Sequence, residues 1–232
     1  MTALSVLRCF DALRRVLSFT PSPDLFWSCF RQLSLALGTL TGTTGFVLIG
    51  QSLKRIAVYC GSASGDSRLF KVAATELGAL IASHGISLVY GGARIGLMGA
   101  VADAALASGG DVIGVIPEVL MHDEVVHASL SQLEVVGSMQ ERKARMLELA
   151  DAVVALPGGF GTLEELFEAL TWAQLRFHAK PIGMLNLNGY FDALLSFLDD
   201  SVSTGFLSER NRALLLDATS PDLLIQRLLK AS

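Results

Sequence analysis

A doubly wound α/β domain, with a parallel sheet of about seven strands in three layers, is predicted for the chain beyond residue 53. Three observations predict it. Short apolar runs alternate with stretches of helical period. Most of those runs are continuously apolar, as strands buried on both faces are. Glycine clusters follow three of the runs, at the strand ends where ligands of such sheets sit.

The first strand is read at Arg55–Cys60 (RIAVYC), β-branched and aromatic at its centre, and the helix after it at Ser67–Ser83. A second strand, Ile86–Tyr90, leads to a helix over Leu97–Ser108 rich in Ala and Leu. Val112–Ile116 and Leu133–Val136 read as the third and fourth strands, with a helix at Met139–Leu149. Ala152–Leu156 is followed by glycines and a helix over Leu163–Leu175, and Ile182–Leu185 by a helix over Tyr190–Ser203. Leu214–Leu216 and Pro221–Lys230 close the pattern. The glycine clusters are Gly61 with Ser62, Gly91 with Gly92, and Gly158 with Gly159; they are expected to meet on one sheet edge.

The first 53 residues differ in composition. They hold four arginines against two aspartates, and no Glu or Lys, whereas the remainder is acidic; the whole chain carries −4. The domain boundary is therefore placed at Lys54. Residues 33–53 are uncharged over 21 positions, but only ten of these are strongly apolar or Ala, a marginal membrane span. A poorly ordered extension is the simplest reading of the head, with a targeting or membrane segment and a packed structural role as alternatives. Cys9, Cys29 and Cys60 form neither a metal spacing nor a disulfide framework, which points to a reducing cytoplasm. The mild negative charge argues against a nucleic-acid partner. No metal and no cofactor is expected.

Gly158-Gly159-Phe160-Gly161-Thr162 lets main-chain N–H groups face a ligand at a helix start, a site suited to phosphate. The competing reading is a capping box, with Thr162 as cap and Glu165 folding back; it needs none of the three glycines. Neither G-x-G-x-x-G nor G-K-[ST] occurs, which argues against nicotinamide cofactors and ATP hydrolysis. In Ser138–Met146, Arg142 and Lys143 are placed in the first helical turn, against the preference of the dipole, and so are functional candidates; Arg145 reads as part of a solvated basic face. Asp123, Glu124, Glu164 and Glu165 supply carboxylates. Each alone is more often a surface or capping residue, but beside a phosphate cradle they suit a sugar phosphate losing its base through an oxocarbenium-like state. The four histidines show no catalytic or metal spacing, and no serine stands in a nucleophile elbow.

These residues resemble the Lonely guy (LOG) family of cytokinin-activating phosphoribohydrolases. Pro157–Glu165 is similar to the family's P-G-G-x-G-T-x-x-E, and Met139–Met146 to its M-x-x-R-K-x-x-M; Cys60-Gly61-Ser62, Tyr90-Gly91-Gly92, Gly96–Gly99 and Thr171–Leu175 also fit. The resemblance runs from about Lys54 to the C-terminus. It implies a Rossmann-like fold, usually dimeric, and hydrolysis of cytokinin riboside 5′-monophosphates to free base and ribose 5-phosphate. It implies Arg142 and Glu165 as the catalytic pair. Substrate contacts are expected at Glu124, Arg142, Lys143, the segment Gly158, Gly159, Phe160, Gly161, Thr162, Leu163, Glu164 and Glu165, and Thr171. Gly91, Gly92, Ser62 and Met139 complete that set. The chain departs from the family at Ala93, where a glycine is usual; a methyl there is expected to narrow the pocket or alter the turn. Two other uses of the phosphate turn stay open: a general nucleoside monophosphate nucleosidase, and a non-catalytic carrier of a phosphorylated ligand.

Overall fold

A computed structural model describes residues 53–121 and 126–232. The head up to residue 52, with its proposed targeting or membrane segment, lies outside the described residues, as does the segment 122–125 that carries Glu124. No helix among the described residues is long and apolar enough to cross a membrane.

Seven strands form one parallel sheet in the order β4-β3-β2-β1-β5-β6-β7. They are β1 (Arg55–Tyr59), β2 (Ser87–Tyr90), β3 (Val112–Pro117), β4 (Gln132–Val136), β5 (Ala152–Ala155), β6 (Ile182–Leu185) and β7 (Leu215–Ala218). The intervening helices are α1 (Arg68–Ser83), α2 (Gly96–Ala107), α3 (Met139–Leu149), α4 (Phe160–Gln174), α5 (Asp192–Ser203), the short α6 (Glu209–Arg212) and α7 (Pro221–Ala231). The expected elements are present within a few residues of their expected bounds. The short α6 and the 3-10 turns at Glu118–Leu120 and Leu187–Gly189 were not anticipated from the sequence: three or four residues are too few to show a period.

Strand alternation divides the core in two. Ile56 and Val58 of β1 point into a cluster with α1, α2 and α7, whereas Ala57 and Tyr59 point into one with α3, α4 and α5. Three layers follow, as the apolar runs imply. Each fully buried Leu, Ile or Val contributes roughly 1.5–3 kcal/mol. The edge strand β4 departs from the buried pattern: Gln132, Leu133 and Val135 are exposed, and Glu134 takes two hydrogen bonds from Arg145 of α3, at 2.6 and 3.1 Å. With one neighbouring strand and one covering helix, it has less to bury. The start of β1 is fixed to the start of β5, because Lys54 and Arg55 both donate backbone N–H groups to Asp151 Oδ2, at 2.8 and 2.9 Å.

Serines cap four helices. Ser67 accepts from Leu69 N, Ser138 from Glu141 N, Ser208 from Asn211 N and Ser220 from Leu223 N. Helix α4 is different, and that difference makes the site.

Candidate active site

Strands β2, β1 and β5 lie side by side, and the chain reverses its direction of winding between β1 and β5. That is the switch point where open α/β sheets bind ligands. The three glycine turns leave these adjacent strands and pack on one another. Gly61 N donates to Pro157 O at 3.1 Å, and Leu97 N to Gly61 O at 3.1 Å. Gly96 has φ +56°, and a Cβ there would stand 2.3 Å from the Ser62 carbonyl. A Cβ on Gly158 would stand 2.1 Å from Thr162 Oγ1 and 2.8 Å from Gly61 N. These two glycines are needed for packing. Gly159 and Gly161 are not, because a Cβ on either meets nothing within 4 Å.

Beside the turns lies a cavity of about 250 Å³. Its walls are Val58, Tyr59, Cys60, Gly61 and Ser62 from the first strand and turn, Gly91 and Met98 from the second, Met139, Arg142 and Met146 from α3, and Gly159, Phe160, Gly161, Thr162 and Glu165 from the elbow and α4.

The structure replaces the capping-box reading. Helix α4 begins at Phe160, its N-cap is Gly159, and no side chain among the described residues caps it. Thr162 is the third residue of the helix and is buried; Glu164 and Glu165 lie in the second turn. The first amides of α4 therefore keep their donors, with the positive end of the dipole, for a ligand. The capping box sits instead at α3: Ser138 Oγ accepts from Glu141 N at 3.1 Å, while Glu141 Oε2 accepts from Gly137 N at 2.7 Å. Arg142 and Lys143 consequently stand just past the first turn of α3, not in it, and the argument from the dipole is weaker than their sequence position suggested.

Arg142 is 6% exposed. Its Nη2 donates to Gly91 O at 3.0 Å and its Nη1 to Met139 Sδ at 3.8 Å, whereas buried Nε has no partner among the described residues. Gly91 has to be glycine for this, since a Cβ there would lie 1.9 Å from Arg142 Nη2. A buried cation with an unused donor is costly unless something anionic completes it. Glu165 faces the same cavity. Burial pushes its carboxyl up to about 7; the Arg142 charge draws it down less strongly, and Glu164 adds to the rise. The Tyr59 hydroxyl and the Cys60 thiol are both raised, chiefly by burial and secondarily by Glu165, so both stay protonated and Cys60 is a poor nucleophile.

The remaining expected contacts are dispersed. Lys143 donates to Glu164 and, at 2.9 Å, to Glu168, tying α3 to α4 outside the cavity wall. Burial lowers its pKa, but the hydrogen bonds to Glu164 and Glu168 outweigh this and the net shift is upward. Leu163 packs against the core, and Thr171 Oγ1 donates to Phe167 O at 2.7 Å. Gly92, with φ +81°, backs onto Ile116 and Leu133. Gly158 underlies the elbow and lines an adjoining groove. Ala93 is fully buried and bridges to Val126; it does not line the cavity, so its methyl neither narrows the space nor needs a left-handed turn. Sequence reasoning missed Tyr59 and Met146 as wall residues, although the last residue of a central strand is a signal for the first. Of the histidines, His127 is buried and bonds Asp103 at 3.0 Å, a structural tie as expected.

Fold and site together define a Rossmann-like protein with a glycine-rich helix start at its switch point, one carboxyl of raised pKa and one buried arginine. Known proteins share the fold and much of the sequence. Residues 98–228 match the family described as possible lysine decarboxylase. A cytokinin riboside 5′-monophosphate phosphoribohydrolase of Arabidopsis thaliana is 47% identical over 180 residues, 78% of this chain and 84% of its own. The LOG phosphoribohydrolase of Oryza sativa subsp. japonica is 50% identical over 175 residues, 75% and 72% respectively. Among solved structures, a molybdenum cofactor binding protein from Rippkaea orientalis superposes with TM-score 0.60 at 26% identity, over 76% of this chain and 96% of its own. The chain belongs to the family described as possible lysine decarboxylase, and within it to the LOG phosphoribohydrolase relatives.

Proposed function

We propose that the protein hydrolyses the N-glycosidic bond of cytokinin riboside 5′-monophosphates, releasing the free base and ribose 5-phosphate. The observation that carries this reading is the uncapped start of α4, with Gly159 and Gly161 open to solvent, in one cavity with Arg142 and Glu165. Main-chain N–H groups from Gly159 to Thr162 hold the 5′-phosphate. That grip sets the ribose against Glu165. As the bond to the base lengthens, positive charge grows at the anomeric carbon, and ionised Glu165 stabilises it and orients the attacking water. Water gives its oxygen to the sugar, and its remaining proton balances the departing base. Arg142 binds the nucleotide and favours departure of the base.

The named relatives support the substrate class. The finer expectations belong here too: a homodimer, a cytoplasmic enzyme, and a small-molecule rather than a nucleic-acid partner. A carrier reading draws on the fold shared with the cofactor-binding protein, but it leaves the raised carboxyl without a task. Incubation with isopentenyl-adenosine monophosphate, followed by detection of free base and ribose 5-phosphate, tests the proposal. A carrier releases neither. Adenosine monophosphate as a parallel substrate separates cytokinin activation from general salvage, which cleaves both alike.

A further inference from the structure

Beyond Gly158, which packs on Thr162 and Gly61, the elbow's own residues hold it weakly. Gly159 and Gly161 have no side chains and no close neighbours where side chains would begin, and no side chain caps the helix. Restraint comes from the turn after β6. Tyr190 donates its hydroxyl to Gly158 O at 2.9 Å, across 32 residues. In a trans peptide unit the C=O and the following N–H point in opposite directions. No described peptide is cis. Holding the Gly158 carbonyl toward Tyr190 therefore turns the Gly159 N–H away from Tyr190. Gly159 stands between two spaces: the groove that Tyr190 also lines, and the cavity that contains Arg142 and Glu165, which Tyr190 does not line and which is the side away from Tyr190.

We propose that Tyr190 is a positioning residue: through the Gly158 carbonyl it fixes the peptide plane whose N–H grips the substrate's phosphate. The turn that presents Tyr190 is itself tightly set. Asn188 and Gly189 are both left-handed, with φ +52° and +74°. Asn186 is buried, accepts from Phe191 N at 2.8 Å and donates to Asp192 Oδ1 at 2.7 Å. The Tyr190 ring is wedged edge-on between Phe70, 5.4 Å away, and Phe191, 4.8 Å away. Tyr190 is nonetheless an exposed residue, so water would satisfy its hydroxyl. The bond to Gly158 thus serves the acceptor's geometry more than the donor's need.

This inference rests on the phosphate-binding reading of the elbow, and the test separates the two. Tyr190→Phe keeps the ring and both edge contacts but removes the donor. The expected result is a KM for the nucleoside monophosphate raised about three- to tenfold, the worth of one hydrogen bond, with kcat within about twofold. Inhibition by ribose 5-phosphate weakens by the same factor, whereas inhibition by the free base is unchanged. Equal weakening toward both inhibitors, together with a lower melting temperature, assigns Tyr190 a merely structural role and overturns the proposal. Unchanged KM and unchanged ribose 5-phosphate inhibition overturn it while leaving the phosphate site intact. If ribose 5-phosphate fails to inhibit even the unaltered protein, the phosphate reading falls and takes the proposal with it.

Discussion

Glu165 sits where function and stability oppose each other. Its carboxyl is pushed up to about 7 in the fold from an ordinary 4.5. Between those values the folded protein holds a proton that the unfolded chain has released. The stabilisation from this group is therefore complete below pH 4.5 and is lost as pH rises through about 7. The proposed mechanism needs the ionised form. We expect kcat/KM to climb with pH through an apparent pKa near 7, and an acid limb near 4.5 would contradict the assigned environment. Glu165→Gln is expected to cut turnover by at least ~100-fold. The same substitution should raise unfolding free energy at pH 8 by roughly 1–3 kcal/mol and change it little at pH 5. Denaturant melts at the two pH values check the second half, and loss of stability at pH 8 would show that the carboxylate is better solvated than its place in the cavity wall implies. Arg142 complements this picture, since one donor of its buried guanidinium has no partner among the described residues.

At the scale of the element, the elbow divides its glycines into two kinds. Gly158→Ala drives a methyl into Thr162 Oγ1 and Gly61 N, and is expected to cost about 1–3 kcal/mol of stability. Gly161→Ala meets open space in the first turn of α4, so it should stabilise by about 0.5–1 kcal/mol while weakening nucleotide binding, because its methyl would border the proposed phosphate position. A thermal melt paired with KM for each variant tests the contrast; if Gly161→Ala binds nucleotide as well as the unaltered protein, the cradle is misplaced. Much of this element was legible in the sequence. The glycines after the first, second and fifth apolar runs marked three strand ends, and the parallel topology gathered them. The helix start was not legible. Both Thr162–Glu165 and Ser138–Glu141 fit a capping box, and only packing decides which one is used: Thr162 is buried under Gly158, and so Gly159 becomes the cap. Lys143 was equally misleading. It adjoins Arg142 in sequence, but one helical residue rotates it by roughly 100°, toward Glu164 and Glu168 instead of the cavity. Tyr190 carried no local signal at all, because its partner lies 32 residues earlier in the chain.

For the whole molecule, the helices that carry Arg142 and Glu165 also carry an unfilled apolar surface. A cleft of about 480 Å³ is lined by Ala144, Leu147, Trp172 and Phe177 together with Glu148, His178 and Lys180. Phe177 is 73% exposed although its ring packs edge-on to Trp172 at 6.4 Å, and Leu175 beside it is exposed as well. Lys180 does not make this surface polar, because its ammonium is turned onto the carbonyls of Leu147 and Glu148 at the end of α3. An isolated chain gains nothing by leaving Leu175 and Phe177 exposed there, whereas a two-fold pairing would bury the face against its own copy. The proposed homodimer is expected to use it. Light scattering should then give twice the 24.7 kDa chain mass. Phe177→Glu places a charge in the middle of the face and should return the mass to a single chain. Its melting temperature should suffer little beyond the loss of the partner, because the ring is mostly outside the core. A variant that stays dimeric would place the interface on another face of the domain, and an unaltered protein that runs as a single chain would remove the dimer altogether.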